Sequence, residues 1–538
     1  MLADFGRGTV RRLLDVRIRL VSAWCNHRFG RVSDVVPISA ATADIYRRAL
    51  DARDARFDGI FFVGITTTGV YCRPVCPARV AYHSHRRFFE TAASAEHAGF
   101  RPCLRCRPEL APGRAIMDAV PRLARVAALR INAGALNGRS VADLASELGV
   151  SERHLRRALE REVGVSPLEL ALTQRLLLAK HLLADTTLSV TRVAFASGFQ
   201  SLRRFNAVFR ERYGLSPSGV RRARGPTPRR TRDVPADDQV ALAVAYRPPL
   251  AWGALLAELR REALPGVDTI AANQYARTVE VEGRKGVIVA DDAHHAHANE
   301  RKPRAHLTVR VSTALLPALM PLLARVRQLF DLDAEPTVVD AHLAQSGLAH
   351  MVRRRPGLRL PGAFDAFEVA LRALLARDSA LSSRVVRELG EPIETGIPEL
   401  THMSPTPARV VQAGETRLVD LGVSRTSARV LVALARALSG GALRLHTGDA
   451  PDTARRELLA IDGVDEQLAT TLVMHALHWP DAFPTRDRDL QRATGAASER
   501  ALSVASQRWR PWRAYAAMHL RLDAADSPAH ARQSIVSA

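Results

Sequence analysis

Four of the chain's five cysteines fall between Cys72 and Cys106, as a C-x3-C pair (Cys72, Cys76) and a C-x2-C pair (Cys103, Cys106). Two short-spaced pairs at this separation suit a tetrahedral site for one Zn2+ held by four thiolates. Two local disulfides or four buried free thiols are the other readings of the same spacing. Five cysteines in 538 residues make no disulfide framework, however. Cys25 stands apart and is expected to be a free thiol without a role.

The residues around these cysteines say more than their spacing. Thr66-Thr67-Thr68-Gly69-Val70-Tyr71-Cys72-Arg73-Pro74-Val75-Cys76 precedes Ala98-Gly99-Phe100-Arg101-Pro102-Cys103-Leu104-Arg105-Cys106, with Phe57-Asp58-Gly59 and Phe61-Phe62 upstream. This pattern, over roughly residues 45 to 110, resembles the amino-terminal domain of Ada-type adaptive-response proteins. The resemblance implies that Cys72, Cys76, Cys103 and Cys106 bind zinc and that Cys72 accepts a methyl group from a methylated DNA phosphate. It also implies that Thr68, Arg79 and Arg105 approach that phosphotriester.

A thiol is a poor nucleophile at neutral pH, whereas a coordinated thiolate stays deprotonated and ready. Zinc with four thiolates carries a formal charge of about −2, and methylating one ligand leaves about −1. Attraction to the phosphate backbone should then rise, because DNA binding is dominated by charge. One cysteine is consumed per event, so this half is a sensor and a single-use acceptor.

At 538 residues the chain should hold several domains. Its formal charge is +22, carried almost wholly by arginine, since Lys180, Lys285 and Lys302 are the only lysines. Such a balance favours nucleic acid as a partner, in a supporting way only, because an arginine bias also follows from base composition; the Ada-type resemblance makes double-stranded DNA the expected one. No run of 18 or more apolar residues suggests a membrane span, and a cytoplasmic, nucleoid-associated protein is expected. Residues 1–40 form a basic extension, expected to be disordered. They lack the apolar core and cleavage site of a signal peptide. The metal domain is placed at 41–112, with Pro108 to Gly113 read as a linker.

Two helix-turn-helix patterns occupy 118–222. In the first, Val141, Leu144, Ala145 and Leu148 mark one apolar helix face, Gly149 ends that helix and Ser151 caps the next. That second helix would offer Glu152, Arg153, Arg156 and Arg157 to a major groove. In the second unit, Gly198 turns, Phe205 and Phe209 pack, and Ser201, Arg203, Arg204 and Asn206 would face DNA. A helix over Leu170 to Leu183 should join the two. A helical bundle unrelated to DNA is the other reading. The doubled pattern, with Gly-Phe-x-Ser-x3-Phe-x3-Phe in its second half, resembles the AraC family, which implies sequence-specific transcription activation and RNA polymerase as a further partner.

Residues 223–239 are rich in Arg, Pro, Gly and Thr and read as a linker. From Val240 the composition changes. Ala243–Tyr246, Arg277–Val281, Gly286–Val289 and Leu307–Val311 are strand-like, giving an α+β subdomain at 240–355. His294, His295 and His297 lie in a polar connector and are not expected to bind metal. Residues 356–524 are mostly helical, and 525–538 form a tail.

Tyr246-Arg247-Pro248-Pro249, Asp331-Leu332-Asp333, Leu360-Pro361-Gly362-Ala363-Phe364-Asp365 and Trp509-Arg510-Pro511-Trp512-Arg513-Ala514-Tyr515-Ala516 resemble segments of the alkylation-repair glycosylase AlkA. The resemblance implies a helix-hairpin-helix across Leu459 to Asp465, whose Gly463 amide region holds a DNA phosphate. It also implies an essential carboxylate at Asp487, with Asp489 as runner-up. Such a carboxylate can stabilise the oxocarbenium sugar left when a flipped, alkylated purine departs. The reading from position alone is a helix-capping Asp. Departures from the family pattern are Asp462 and Asp465 in the hairpin, Gln467 where an aromatic lines the base pocket, Arg377-Asp378-Ser379 in the wedge segment, and Arg521 near another pocket aromatic.

No lysine follows Lys302, so the helical part has no amine for a Schiff base and excision should be monofunctional. No cysteine follows Cys106, which excludes an iron–sulfur cluster and a second, Pro-Cys-His-Arg methyl acceptor. The expected protein is multidomain and mainly α with α+β parts. It joins a small four-cysteine zinc domain, a double helix-turn-helix, an AlkA-like α+β subdomain and an all-α helix-hairpin-helix glycosylase domain. Its expected function is methylphosphotriester sensing coupled to transcription activation, plus excision of 3-methyladenine-type purines. The alternative is a zinc-containing AraC-type regulator whose back half binds DNA with weakened catalysis.

Overall fold

The computed structural model describes residues 38–78, 81–113, 122–223, 238–292, 305–375, 378–446 and 449–526. Cys25, Arg79, the three histidines at 294, 295 and 297, and Arg377 lie outside them. The chain divides into two compact units, one running to Arg230 and the other from Thr231 to the end apart from four residues near 115.

Among the described residues the first unit begins with a helix, Ala40–Asp51, capped by Ser39. A small sheet follows: β1 (Phe62–Ile65), β2 (Val70–Cys72), β3 (Arg86–Phe89) and β4 (Arg101–Pro102), in the order β3-β1-β2-β4. Period-2 alternation sends the consecutive Phe61 and Phe62 to opposite faces. Phe61 stacks on Tyr46 at 4.2 Å, while Phe62 meets Tyr71 edge-on at 5.7 Å. Gly64 in β1 is required by close approach, because a Cβ there would lie 2.8 Å from Phe89 and 2.9 Å from Phe100.

Both helix-turn-helix units form where the periodicity places them. Val141–Glu147 and Glu152–Val163 make the first, and Val190–Ala196 and Leu202–Tyr213 the second. Ser140, Ser151, Ser189 and Ser201 each accept a backbone N–H at their helix starts, which satisfies amides that have no partner within the helix. The joining helix is longer than expected, Pro167–Asp185, and its buried residues lie on all sides. A helix apolar all round has to be central.

The segment read as a linker, Pro108 to Gly113, is instead a packed joint. Its first turn, Pro108–Leu110, is a 3-10 turn with Pro108 and Leu110 buried. Arg107 donates to Glu109 (3.0 Å) and Asp185 (2.6 Å), Lys180 pairs with Glu109, and Lys180 Nζ also donates to the Cys103 carbonyl (3.3 Å). Nearby, the 4 % exposed Glu96 accepts from Tyr71 (3.1 Å), Thr173 (3.0 Å) and Tyr213 (3.5 Å). The metal-domain fold and the helix-turn-helix helices therefore share one polar core. The charges that hold it are far apart in sequence, and no local rule announces them.

Burial pushes the Glu96 carboxyl up to about 7, against the opposing effect of its hydrogen bonds. The folded unit therefore binds a proton that the unfolded chain releases at lower pH. Its stabilising effect is complete below about 4.5 and is lost as pH rises to about 7. Wild-type unit 1 should lose on the order of 3 kcal/mol from this group between those limits. Urea melts at pH 5 and pH 8 should show that difference in wild type and not in Glu96→Gln.

The second unit opens with β5 (Gln239–Ala245), β6 (Asp268–Ala271), β7 (Gln274–Val281), β8 (Arg284–Asp292) and β9 (His306–Ser312), in the order β5-β9-β8-β7-β6 and antiparallel throughout. The expected strands are present and longer, and β6 was not anticipated. Helices from Pro336–Leu343 to Arg513–Asp526 follow around a shared apolar core. Arg277 of β7 is fully buried and donates to both oxygens of Glu368, at 3.1 and 2.6 Å, tying the sheet to the helix Ala366–Leu375. Asp331 collects the scattered motifs. It accepts from Leu360 N (3.2 Å) and from Tyr515 (2.6 Å), so three of the segments quoted from the sequence meet at one buried carboxylate.

Candidate functional sites: a four-thiol centre and a capped carboxylate

In the first unit the four sulfurs of Cys72, Cys76, Cys103 and Cys106 lie within 4.8 Å of one another. Zinc–sulfur bonds of about 2.3 Å place tetrahedral ligands roughly 3.8 Å apart, so the donor set fits this ion. The sequence folds that way because Cys72 ends β2 and the ladder continues as Cys103 N donates to Tyr71 O (3.0 Å). Arg73 fastens the other side, pairing with Asp58 and donating to the Cys106 carbonyl at 3.2 Å.

The sulfurs differ. Cys106 accepts from Arg73 N and Cys103 from Arg105 N, both at 3.4 Å, and Cys76 accepts from the Ala78 backbone. Among the described residues Cys72 Sγ accepts from no backbone N–H. Without metal its thiol is held protonated by hydrogen bonds with the other three sulfurs and then by burial. A bound dication reverses that sign. Cys72 is 7 % exposed and Cys103 more so. Thr68 and Arg105 are exposed beside the centre.

On the helix-turn-helix surfaces Arg153, Arg157, Arg203 and Arg204 are exposed, and Asn206 is half-buried. Two residues expected to be free are engaged. Arg156 pairs with Glu152 at 2.5 Å, four residues earlier on the same helix, and the Ser201 hydroxyl caps its helix by accepting from Arg204 N at 3.3 Å.

In the second unit the helices Pro451–Leu459 and Glu466–His475 flank a hairpin with Gly463 at φ +80°, where a Cβ would lie 2.7 Å from Val430. Both non-family aspartates there are occupied. Asp465 caps the second helix through Leu468 N (2.9 Å), and Asp462, 73 % exposed, sits 3.4 Å from Arg429. Asp487 caps the helix Arg488–Thr494. Its Oδ1 accepts from Asp489 N (2.8 Å) and Leu490 N (3.2 Å), while its Oδ2 accepts from Arg521 Nε (3.0 Å) and Nη2 (2.7 Å). Burial would raise this carboxyl, but the Arg521 guanidinium and the two amides outweigh it and hold it below the usual carboxylate range. Asp489, the runner-up, is exposed and pairs with Arg492 instead.

The metal binding domain of Ada matches residues 46–109, a helix-turn-helix domain matches 144–223, and the AlkA N-terminal domain matches 241–365. A relative in Mycobacterium tuberculosis (strain CDC 1551 / Oshkosh), a probable bifunctional transcriptional activator/DNA repair enzyme AlkA, is 36% identical over 488 residues. That spans 88% of this chain and 95% of the relative. The chain belongs to this family of bifunctional activator and repair proteins.

Each half of the family architecture also has separate relatives. DNA-3-methyladenine glycosylase 2 of Escherichia coli (strain K12) is 31% identical over 283 residues, 51% of this chain and 94% of that protein. The bifunctional activator Ada of the same organism is 34% identical over 117 residues, 22% of this chain and 31% of that protein. One Zn2+ in the four-thiol centre is what the family's metal-binding domain and this donor set together support. Sequence reasoning noted Arg521 but missed its ion pair with Asp487. It missed the joint at Glu96, Glu109 and Lys180 altogether. The Arg521 pair spans 34 positions, a separation at which no helix or strand period relates two residues.

Proposed function

We propose that the chain senses methylated DNA phosphates through Cys72, activates transcription in response, and excises 3-methyladenine-type purines through Asp487. Both substrates come from the chemistry of the sites and the names of the two sets of relatives. The observation that carries the sensor reading is the unequal sulfurs. Among the described residues three are quenched by backbone N–H donors and Cys72 is not, which makes Cys72 the strongest nucleophile of the four. Zinc, when bound, keeps all four sulfurs deprotonated.

In the transfer, Cys72 Sγ attacks the methyl carbon and an S–C bond forms as the C–O bond breaks. The electron pair stays on the phosphate oxygen, leaving an ordinary diester and a thioether. Thr68, Arg79 and Arg105 would position the phosphotriester. Arg153, Arg157, Arg203, Arg204 and Asn206 would read bases or phosphates, with Arg156 able to join them on leaving Glu152. Gly463 would hold a phosphate at the hairpin. A cytoplasmic site of action and RNA polymerase as the recruited partner follow from this role.

The test uses the full chain loaded with zinc. Incubated with duplex carrying labelled methylphosphotriesters, it should gain one methyl group per molecule and no more. With alkylated duplex it should release free 3-methyladenine and leave the backbone uncut. Neither product appearing would remove the reading.

A further inference from the structure

Every lone pair of Asp487 is taken: two backbone amides hold Oδ1 and two guanidinium N–H groups hold Oδ2. A carboxylate in that state can accept no hydrogen bond from a water, and the guanidinium beside it cancels the charge a developing sugar cation needs. For Asp487 to act, Arg521 has to leave Oδ2. The pair is mostly shielded, with side chains 12 and 15 % exposed. Removing the guanidinium alone would strand a poorly solvated anion. The exchange becomes easy only if what replaces Arg521 is itself positive.

A second acidic group acts on the same arginine. Glu258 on the helix Trp252–Arg261 and Glu262 just past its end both act electrostatically on Arg521. Glu258 is 1 % exposed. Its Oε1 is taken by Arg261, and its Oε2 has no hydrogen-bond partner among the described residues. Burial and the neighbouring Glu262 raise the Glu258 carboxyl above its ordinary value, and a guanidinium arriving beside it would favour its charged form and supply the missing donor.

We propose that Arg521 is a specificity-determining residue that occupies Asp487 at rest and yields to a flipped nucleotide only when its base is cationic, moving onto Glu258. This rests on the reading of Asp487 given above. An N-alkylated purine nucleotide brings a positive charge and repels Arg521, so the Asp487 counter-charge is exchanged and never lost. As the C1′–N bond breaks, its electron pair neutralises the base and the positive charge passes to the sugar, still facing Asp487. Water oxygen then bonds to C1′ and its proton leaves to solvent. A neutral base offers no such exchange, and the arginine stays in place.

The experiment compares single-turnover base release by the full chain from two duplexes, one carrying 7-methylguanine (cationic) and one hypoxanthine (neutral). Arg521→Gln should raise hypoxanthine release relative to 7-methylguanine release about ten- to a hundredfold. The ratio between the two should therefore collapse. Arg521→Lys, which keeps the charge, should retain most of the wild-type ratio. A ratio unmoved by Arg521→Gln overturns the proposal. A fall in hypoxanthine release also does so, since Arg521 would then be assisting the departing base.

Should Arg521→Gln not fold, Glu258→Gln should slow 7-methylguanine release alone, and equal slowing on both duplexes would sink the idea. If wild type and Arg521→Gln both release neither base, the excision reading itself fails and this proposal falls with it. Release by Arg521→Gln alone would establish the mask.

Discussion

Cys72→Ala should leave the protein unable to take a methyl group from methylated DNA, a loss of at least about a hundredfold set by the removal of the nucleophile itself. Mass spectrometry after incubation with methylphosphotriester duplex should find every cysteine unmodified. The outcome separates two physical arguments. Accessibility alone would favour Cys103, the most exposed of the four sulfurs. Nucleophilicity favours Cys72, whose sulfur lacks, among the described residues, the backbone donors that quench the others. A hydrogen bond to a thiolate lowers its basicity and with it its reactivity. Methyl found on Cys103 in wild type would mean that access wins, and the acceptor assignment would be wrong.

Asp487→Asn should reduce release of alkylated purines by about a hundred- to a thousandfold while leaving DNA binding close to wild type, and it should lower thermal stability because Arg521 loses its partner. The substitution isolates charge from structure. Asparagine caps a helix about as well as aspartate, so the start of Arg488–Thr494 should survive. What disappears is the negative charge opposite the sugar. Asp489→Asn is the control, because Asp489 faces solvent beside Arg492 and its loss should cost less than about twofold. The acid limb of kcat/KM, which reports the free enzyme, should lie below the usual carboxylate range, since Asp487 at rest is held down by Arg521 and the two amides. Full activity in Asp487→Asn would end the assignment.

What could be read from the chain beforehand follows the range of the forces involved. The cysteine pairs, the serine caps and the apolar spacing of both helix-turn-helix units are local, and each determines structure within a few residues of itself. Strand registers and the buried Arg277–Glu368 pair depend on distant segments, 91 positions apart for that pair, which no periodicity joins. The site was half legible for the same reason. Asp487 could be placed by a motif, whereas the arginine that saturates it arrives from another helix. Pro108 to Gly113 reads as a linker in the sequence, yet Glu109 within it and Arg107 beside it make buried ion pairs with Lys180 and Asp185.

That joint bears on how the front half can be handled. A fragment ending after residue 113 would uncover Glu96 and leave it with Tyr71 alone, because Thr173 and Tyr213 belong to the missing piece. Metal capture and operator reading should then be inherited together, in a single segment that reaches at least Ala223. Scissile sites for proteases, domain grafts and reporter fusions would have to be sought outside it.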